Sequence, residues 1–312
     1  MKVRSRQVGA TLAELMVAAA VGMLAMLLAG GLLVSANAAY VAQGEAAAVD
    51  DNGRYALEII TRATRQAAYV NWERVEAGED PRALPARVAG FDARSLSRAA
   101  AGIEAPLADA VNGSDVLAVR FAGAADGSVV SCAGFAVGEH DDGWSIFYVG
   151  RSTAGEPELR CKYRGKNSWS ADAVIGGVDT FQVLYGLDTD TPPDGVANEF
   201  VNAGVLNERD AALVLAAPDA AGRDRELRRR THWKRVASVR VALVLHGVGR
   251  TRAGDEPLVF DLFGRPYSDA VGAFDRGVHL AEDTMPDELR GRIRRLFAST
   301  ITLRNAAVEA GQ

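Results

Sequence analysis

The sequence predicts an α+β protein: one long N-terminal helix whose first half spans a membrane, followed by a β-rich head with helical and loop inserts. Three observations predict it. Residues 15–34 carry no charge, and such a run is long enough for a helix to cross a bilayer. Beyond it Ala56, Ile59, Ile60, Ala63, Ala67 and Val70 recur at one helical face. From about residue 71 the chain breaks into short apolar runs separated by Gly, Pro, Asp and Asn, the punctuation of strands and turns.

The helix is justified first. No proline occurs before Pro81, so nothing in residues 10–70 forces a break. Arg54, Glu58 and Arg62 stand four apart on a second face and can pair along it. A continuous helix from Ala10 to Val70 is on the order of 90 Å long, about three membrane thicknesses. The apolar part therefore lies in lipid and the amphipathic part, residues 36–70, against a head. Gly22, Gly30, Gly31, Gly44 and Gly53 are its weak points, each costing about 1 kcal/mol relative to alanine unless close packing requires it. Close helix packing is the plainer reading of these glycines, and local unwinding at Gly30-Gly31 in a packed filament is the alternative.

Lys2, Arg4 and Arg6 precede the apolar run, so the N-terminus is expected on the cytoplasmic side and the head outside. A secretory signal peptide has a shorter apolar region and a clear small-residue cleavage site. A plain anchor fits the length but leaves Glu14 unexplained, since a carboxylate deep in a spanning helix costs roughly 2.5–3.5 kcal/mol.

Gly9-Ala10-Thr11-Leu12-Ala13-Glu14 resembles the type IV prepilin signal: a basic leader, a glycine, then an apolar helix with an acidic residue at its fifth position. The resemblance implies that residues 1–9 are a leader cut after Gly9 by a membrane prepilin peptidase, that Ala10 becomes the N-methylated first residue, and that Glu14 aligns the subunit in a filament. Ala10 departs mildly from the Phe or Met usual there. The chemistry is coherent, because the new amine is a cation that a neighbour's Glu14 neutralises at low dielectric.

Two further stretches narrow the resemblance. Asp51-Asn52-Gly53-Arg54-Tyr55-Ala56-Leu57-Glu58 with Thr64-Arg65-Gln66-Ala67-Ala68-Tyr69, and Val178–Asp190 with Asn198-Glu199-Phe200-Val201, are similar to the PilW group of large minor pilins. So are Arg240–Leu245 and Arg294–Asn305. The resemblance implies a type IV pilin-like fold in which an antiparallel sheet packs on the second half of the helix. It implies a non-catalytic role in pilus biogenesis, adhesion and twitching motility, in a priming complex at the pilus tip. The implied partners are other minor pilins, the major pilin, the inner-membrane assembly machinery and sometimes a tip adhesin. The location it implies is the inner membrane before assembly and the pilus at the cell surface afterwards. A pseudopilin of a type II secretion system shares the leader and helix, and a membrane-anchored periplasmic binding protein or enzyme is the other alternative.

In the head, residues 71–312, candidate strands are Asp115–Phe121, Ser128–Cys132, Ser145–Val149, Leu159–Tyr163, Thr180–Tyr185, Val236–Leu245, Leu258–Phe260 and Ser299–Leu303. Val236–Leu245 is almost wholly apolar, as a strand buried on both faces is. Residues 73–108 read as loops with short helices, and 211–234 as a helix-like insert. The basic run 223–235 reads as a solvated helical face rather than a nucleic-acid site, since the chain has net charge -5 and no interleaved aromatics.

The two cysteines, Cys132 and Cys161, are expected to pair if the head is exported, with free thiols as the alternative. Asp188-Thr189-Asp190-Thr191-Pro192-Pro193-Asp194-Gly195 has carboxylates at calcium-loop spacing. It lacks the closing glutamate of an EF-hand, so a solvated hairpin turn is preferred to calcium bound by Asp188, Asp190 and Asp194. No other cofactor is expected. The sequence contains no G-x-S-x-G, H-E-x-x-H or phosphate-binding glycine loop, and nothing recommends an enzyme.

Overall fold

The computed structural model describes Gly9 and residues 11–67, 84–252, 254 and 256–303. The expectations for Ala10, Tyr69, Val70, Arg304 and Asn305 lie outside them. Helix α1 runs unbroken from Leu12 to Gln66, through Gly30 and Gly31. Thr11 caps its start and Arg65 sits in its last turn, the charge a helix C-terminus favours.

The head follows in chain order as β1 (Val88–Phe91), β2 (Ser95–Leu96), β3 (Pro106–Leu107), β4 (Val116–Ala122), β5 (Asp142–Arg151), β6 (Pro157–Arg164) and β7 (Trp169–Gly176). Then come β8 (Val178–Leu187), β9 (Glu199–Val201), α2 (Ala203–Ala211), α3 (Ala220–Arg230) and β10 (Val236–His246). The remaining elements are β11 (Val259–Asp261), α4 (Arg265–Val271), β12 (His279–Ala281) and β13 (Arg294–Thr302). Two antiparallel sheets form, one ordered β1-β4-β5-β6-β7 and the other β13-β10-β8-β9. Small ribbons pair β2 with β3 and β11 with β12.

One core joins the buried stripe of α1 to the facing sides of both sheets, through Ile60, Phe121, Phe147, Leu159, Phe181 and Leu243. The predicted helical face is the one that packs: Ala56, Ile60, Ala63 and Ala67 are buried, with Ile59 half-buried. The strands β8 and β10 are buried along almost their whole length, on both faces. An antiparallel sheet ordinarily leaves one face to water; here each has a second cover. Leu262, Leu280 and Met285 of the 258–289 segment lie on Ala242 and Val244. Leu96 and Ile103 cover Val116, Ile146 and Tyr148 on the other sheet. The inserts are thus structural lids that let apolar strands stay dry.

Ser128–Cys132, expected as a strand, is a loop with a single bridge between Val130 and Ala136. Its backbone folds back on 135–137, the Ser131 N–H donating to the Phe135 carbonyl at 2.8 Å and the Val137 N–H to the Val129 carbonyl at 3.0 Å, while Cys132 donates its N–H to Ser145 Oγ at 2.9 Å and is joined by a disulfide to Cys161 of β6. Gly134, at φ 81°, supplies the left-handed turn that a ladder would not accommodate. The strands β1, β2, β3, β7, β9 and β12 were not expected; the first three lie in the 73–108 stretch read as loops with short helices, whose described part forms short strands instead. β7 is an edge strand whose Asp172 and Ala173 face outward, which leaves no clear alternation to read.

At the seam of stalk and head a Cβ on Gly53 would enter the ring of Phe297 on β13. Gly53→Leu is expected to destabilise the protein by about 1–3 kcal/mol through overpacking, with a smaller loss in a Phe297→Ala background; denaturation of the four full-length variants in detergent checks this. The disulfide closes a separation of 29 residues, worth roughly 3.5 kcal/mol by chain entropy. Cys132→Ser with Cys161→Ser should lower the denaturation midpoint accordingly.

Candidate functional site

The N-terminal end of α1 is built from a reciprocal cap. Thr11 Oγ1 accepts the Glu14 N–H at 3.3 Å, and Glu14 Oε2 accepts from the Thr11 N–H at 2.8 Å and the Thr11 hydroxyl at 3.0 Å. This is a capping box, and its signature Thr-x-x-Glu before an apolar run was present in the sequence. Glu14 therefore satisfies otherwise orphan donors of its own helix when no other subunit is beside it. Gly9 precedes the cap, exposed and non-helical. From Leu15 to Val34 every side chain is exposed, Met26 to 77% and Leu27 to 74%. An apolar surface of this extent on a free helix has to be covered by lipid or by other helices.

Where α1 leaves this apolar stretch, polar contacts lock it to the head. The Glu45 carboxylate accepts from the Gly249 N–H at 2.9 Å and the Thr251 hydroxyl at 2.6 Å. Asp50 pairs with Arg295 of β13 at 3.1 Å. A cleft of about 360 Å³ opens beside them, lined by Glu45, Asn52, Glu156, His246 and Arg292.

Behind the cleft lies a buried ionic chain. Arg294 reaches Asp179 and Glu282 at 2.7 Å each, His246 Nδ1 lies 2.9 Å from Asp179, and Arg252 meets Glu282 at 2.7 Å. The Arg294 side chain has no exposure, and Asp179 and Glu282 have 1% and 2%. Burial works to raise the Glu282 carboxyl. The N–H groups of Leu258 and Gly291 and the charges of Arg294 and Arg252 outweigh that and hold it below its usual range. Sequence reading missed this chain because its members lie on β8, β10, the loop after β10, the 258–289 lid and β13.

The three loop aspartates do come together. Asp188, Asp190 and Asp194 each bring a carboxylate oxygen within 4.8 Å of the others. Their bonds are those of a braced turn between β8 and β9. Asp188 accepts from the N–H groups of Asp190 and Gly195, Asp190 from the Asn198 amide, and Asp194 from the Val196 N–H.

A second acidic group was not foreseen. Asp92, Asp115 and Asp275 likewise place oxygens within 4.8 Å of one another, Asp115 and Asp275 being buried. Burial pushes Asp92 up to about 6 and Asp115 well above the ordinary carboxylate range, the latter helped by the charges of Asp92 and Asp275. The three residues are separated by long stretches of chain, so no local motif announces them.

The family model for type IV pilus-assembly protein W (PilW) matches residues 146–305, more than half of the chain. The chain belongs to the PilW family. The match spans β5 to β13, including the strands that hold α1. Among solved structures, a type IV-like pilin, TTHA1219 from Thermus thermophilus, is 15% identical, covering 83% of this chain and 97% of its own with a TM-score of 0.39. No curated protein matches the chain. PilW membership and the long apolar helix together fit a membrane-anchored pilus protein.

Arg294→Ala should lower stability by about 3–5 kcal/mol, because Asp179 and Glu282 would be left buried without their partner. The depressed Glu282 carboxyl contributes stability that is present above the unfolded carboxylate range and is lost as pH falls through its folded value. Thermal melts from pH 7 to pH 3 should therefore show a shallower acid decline in Glu282→Gln than in the parent.

Proposed function

We propose that this protein is a minor pilin that enters the type IV pilus through its N-terminal helix. The observation that carries the reading is a continuous helix with a bare apolar surface from Leu15 to Val34 and a single acid, Glu14, at its front edge. PilW membership supports it. In this reading the prepilin peptidase cuts after Gly9, and Ala10 becomes the methylated N-terminus. The helix holds the subunit in the inner membrane with its head outside. It then passes sideways into the base of a filament, where neighbouring helices replace lipid around the same apolar surface.

Glu14 has a specific part in that transfer. In the isolated chain it caps its own helix. In the filament it exchanges part of that bonding for the amine of Ala10 on an adjacent subunit, a charge-assisted pair strengthened by the low dielectric. The exchange keeps the carboxylate bonded on both sides of the transfer, so the buried acid is never left bare. The head carries the contacts to other minor pilins, the major pilin, the assembly machinery and a tip adhesin. From the tip complex it supports assembly, adhesion and twitching.

The test begins with the intact mass of protein purified from membranes, which should correspond to a chain starting at methylated Ala10. A Gly9 substitution should leave the leader attached and abolish piliation. A Glu14→Val variant should still reach the membrane but fail to enter filaments. Retention of Met1 in the mature protein, with normal pili and twitching in the deletion strain, would refute the reading.

A further inference from the structure

We propose that Asp92, Asp115 and Asp275 form a calcium site that ties the lid over one sheet to the edge of the other. Asp92 lies just after β1, Asp115 just before β4 and Asp275 just after α4. Each offers an oxygen within 4.8 Å of the other two. Asp92 accepts the N–H groups of Ala203 and Gly204, and Asp115 those of Ala93 and Val183. Each of those four oxygens takes one such bond and keeps a second lone pair.

Asp275 supplies the observation that points to a ligand. Its residue exposure is 1%. Tyr267 donates to Oδ2 at 2.8 Å, and the Asn202 amide approaches the same carboxylate. Oδ1 meets no donor in hydrogen-bond geometry. A buried acceptor left unbonded is costly. Neither arginine nor lysine is ion-paired with any of the three among the described residues. A cation among them satisfies Oδ1 and offsets three like charges in one step.

The donor set selects the ion. All three ligands are hard oxygens, with no histidine or cysteine among them, which favours calcium or magnesium over zinc or copper. Magnesium demands near-ideal octahedral geometry and keeps several of its waters, whereas calcium accepts an irregular set of protein oxygens, so a mostly buried group built from three separate segments favours calcium. The Asp188 loop does not compete, since Asp190 and Asp194 are open to water and none of its three carboxylates has a buried oxygen left without a donor. The proposal does not depend on the pilin reading and stands or falls separately from it.

The experiment uses the full-length chain in detergent, stripped with EDTA and titrated with calcium or magnesium chloride. Calcium should raise the melting temperature by several degrees and magnesium by much less. Terbium should bind in calcium's place and emit when tyrosine is excited, because Tyr267 touches the site. Asp275→Asn should weaken calcium binding at least tenfold and remove the terbium signal, while Asp190→Ala leaves both unchanged. Asp92→Asn serves as the second variant should Asp275→Asn not fold. The proposal is overturned if calcium neither stabilises the parent protein nor competes with terbium, or if Asp190→Ala removes an effect that Asp275→Asn retains. An equal response to magnesium would overturn the assignment to calcium.

Discussion

One helix has to be compatible with two solvents, and the remainder of the architecture accommodates that constraint. In its first half the apolar surface is continuous and bare. In its second half the apolar residues narrow to a stripe of Val49, Gly53, Ala56, Ile60 and Ala63. Most of these are small, so the sheets approach the helix axis closely. The polar locks at Glu45 and Asp50 fall where the surface changes character. They fix the orientation of the head relative to the rod at the point where it leaves the membrane-length segment.

Close approach to a helix requires apolar strands, and apolar strands need cover on their other face. This is why β8 and β10 are almost entirely buried and why segments with little regular structure persist in the head. The 258–289 lid is held over β10 by apolar contacts and by the ionic chain through Glu282 and Arg294. The charges in that chain define where the lid sits more than they add net stability, because burying ions offsets much of their attraction.

The helix was legible because its signals are local: an uncharged run, a 3.6-residue period and an absence of proline. Strands β4, β5, β6, β8, β10, β11 and β13 were legible as apolar runs, with ends misjudged by a few residues. β1 and β7 were not, since Gly90 and the outward Asp172 interrupt the pattern and cross-strand partners decide the outcome. Glu14 was visible as an anomaly, yet its bond to Thr11 was overlooked although the Thr-x-x-Glu spacing announces it. The Asp92–Asp115–Asp275 group and the Arg294 chain are products of tertiary folding. Their members are unremarkable in sequence until the sheets bring them together.

The contact of Phe297 with Gly53 has a consequence for biogenesis. The segment made early in translation is completed by one made late, since β13 lies along α1. During synthesis the inner stripe of the amphipathic half therefore stays without its last covering strand until β13 is made. A chain stopped before residue 294 lacks the strand that packs most extensively on α1, so the rod's inner face is closed only when the C-terminal strand is in place.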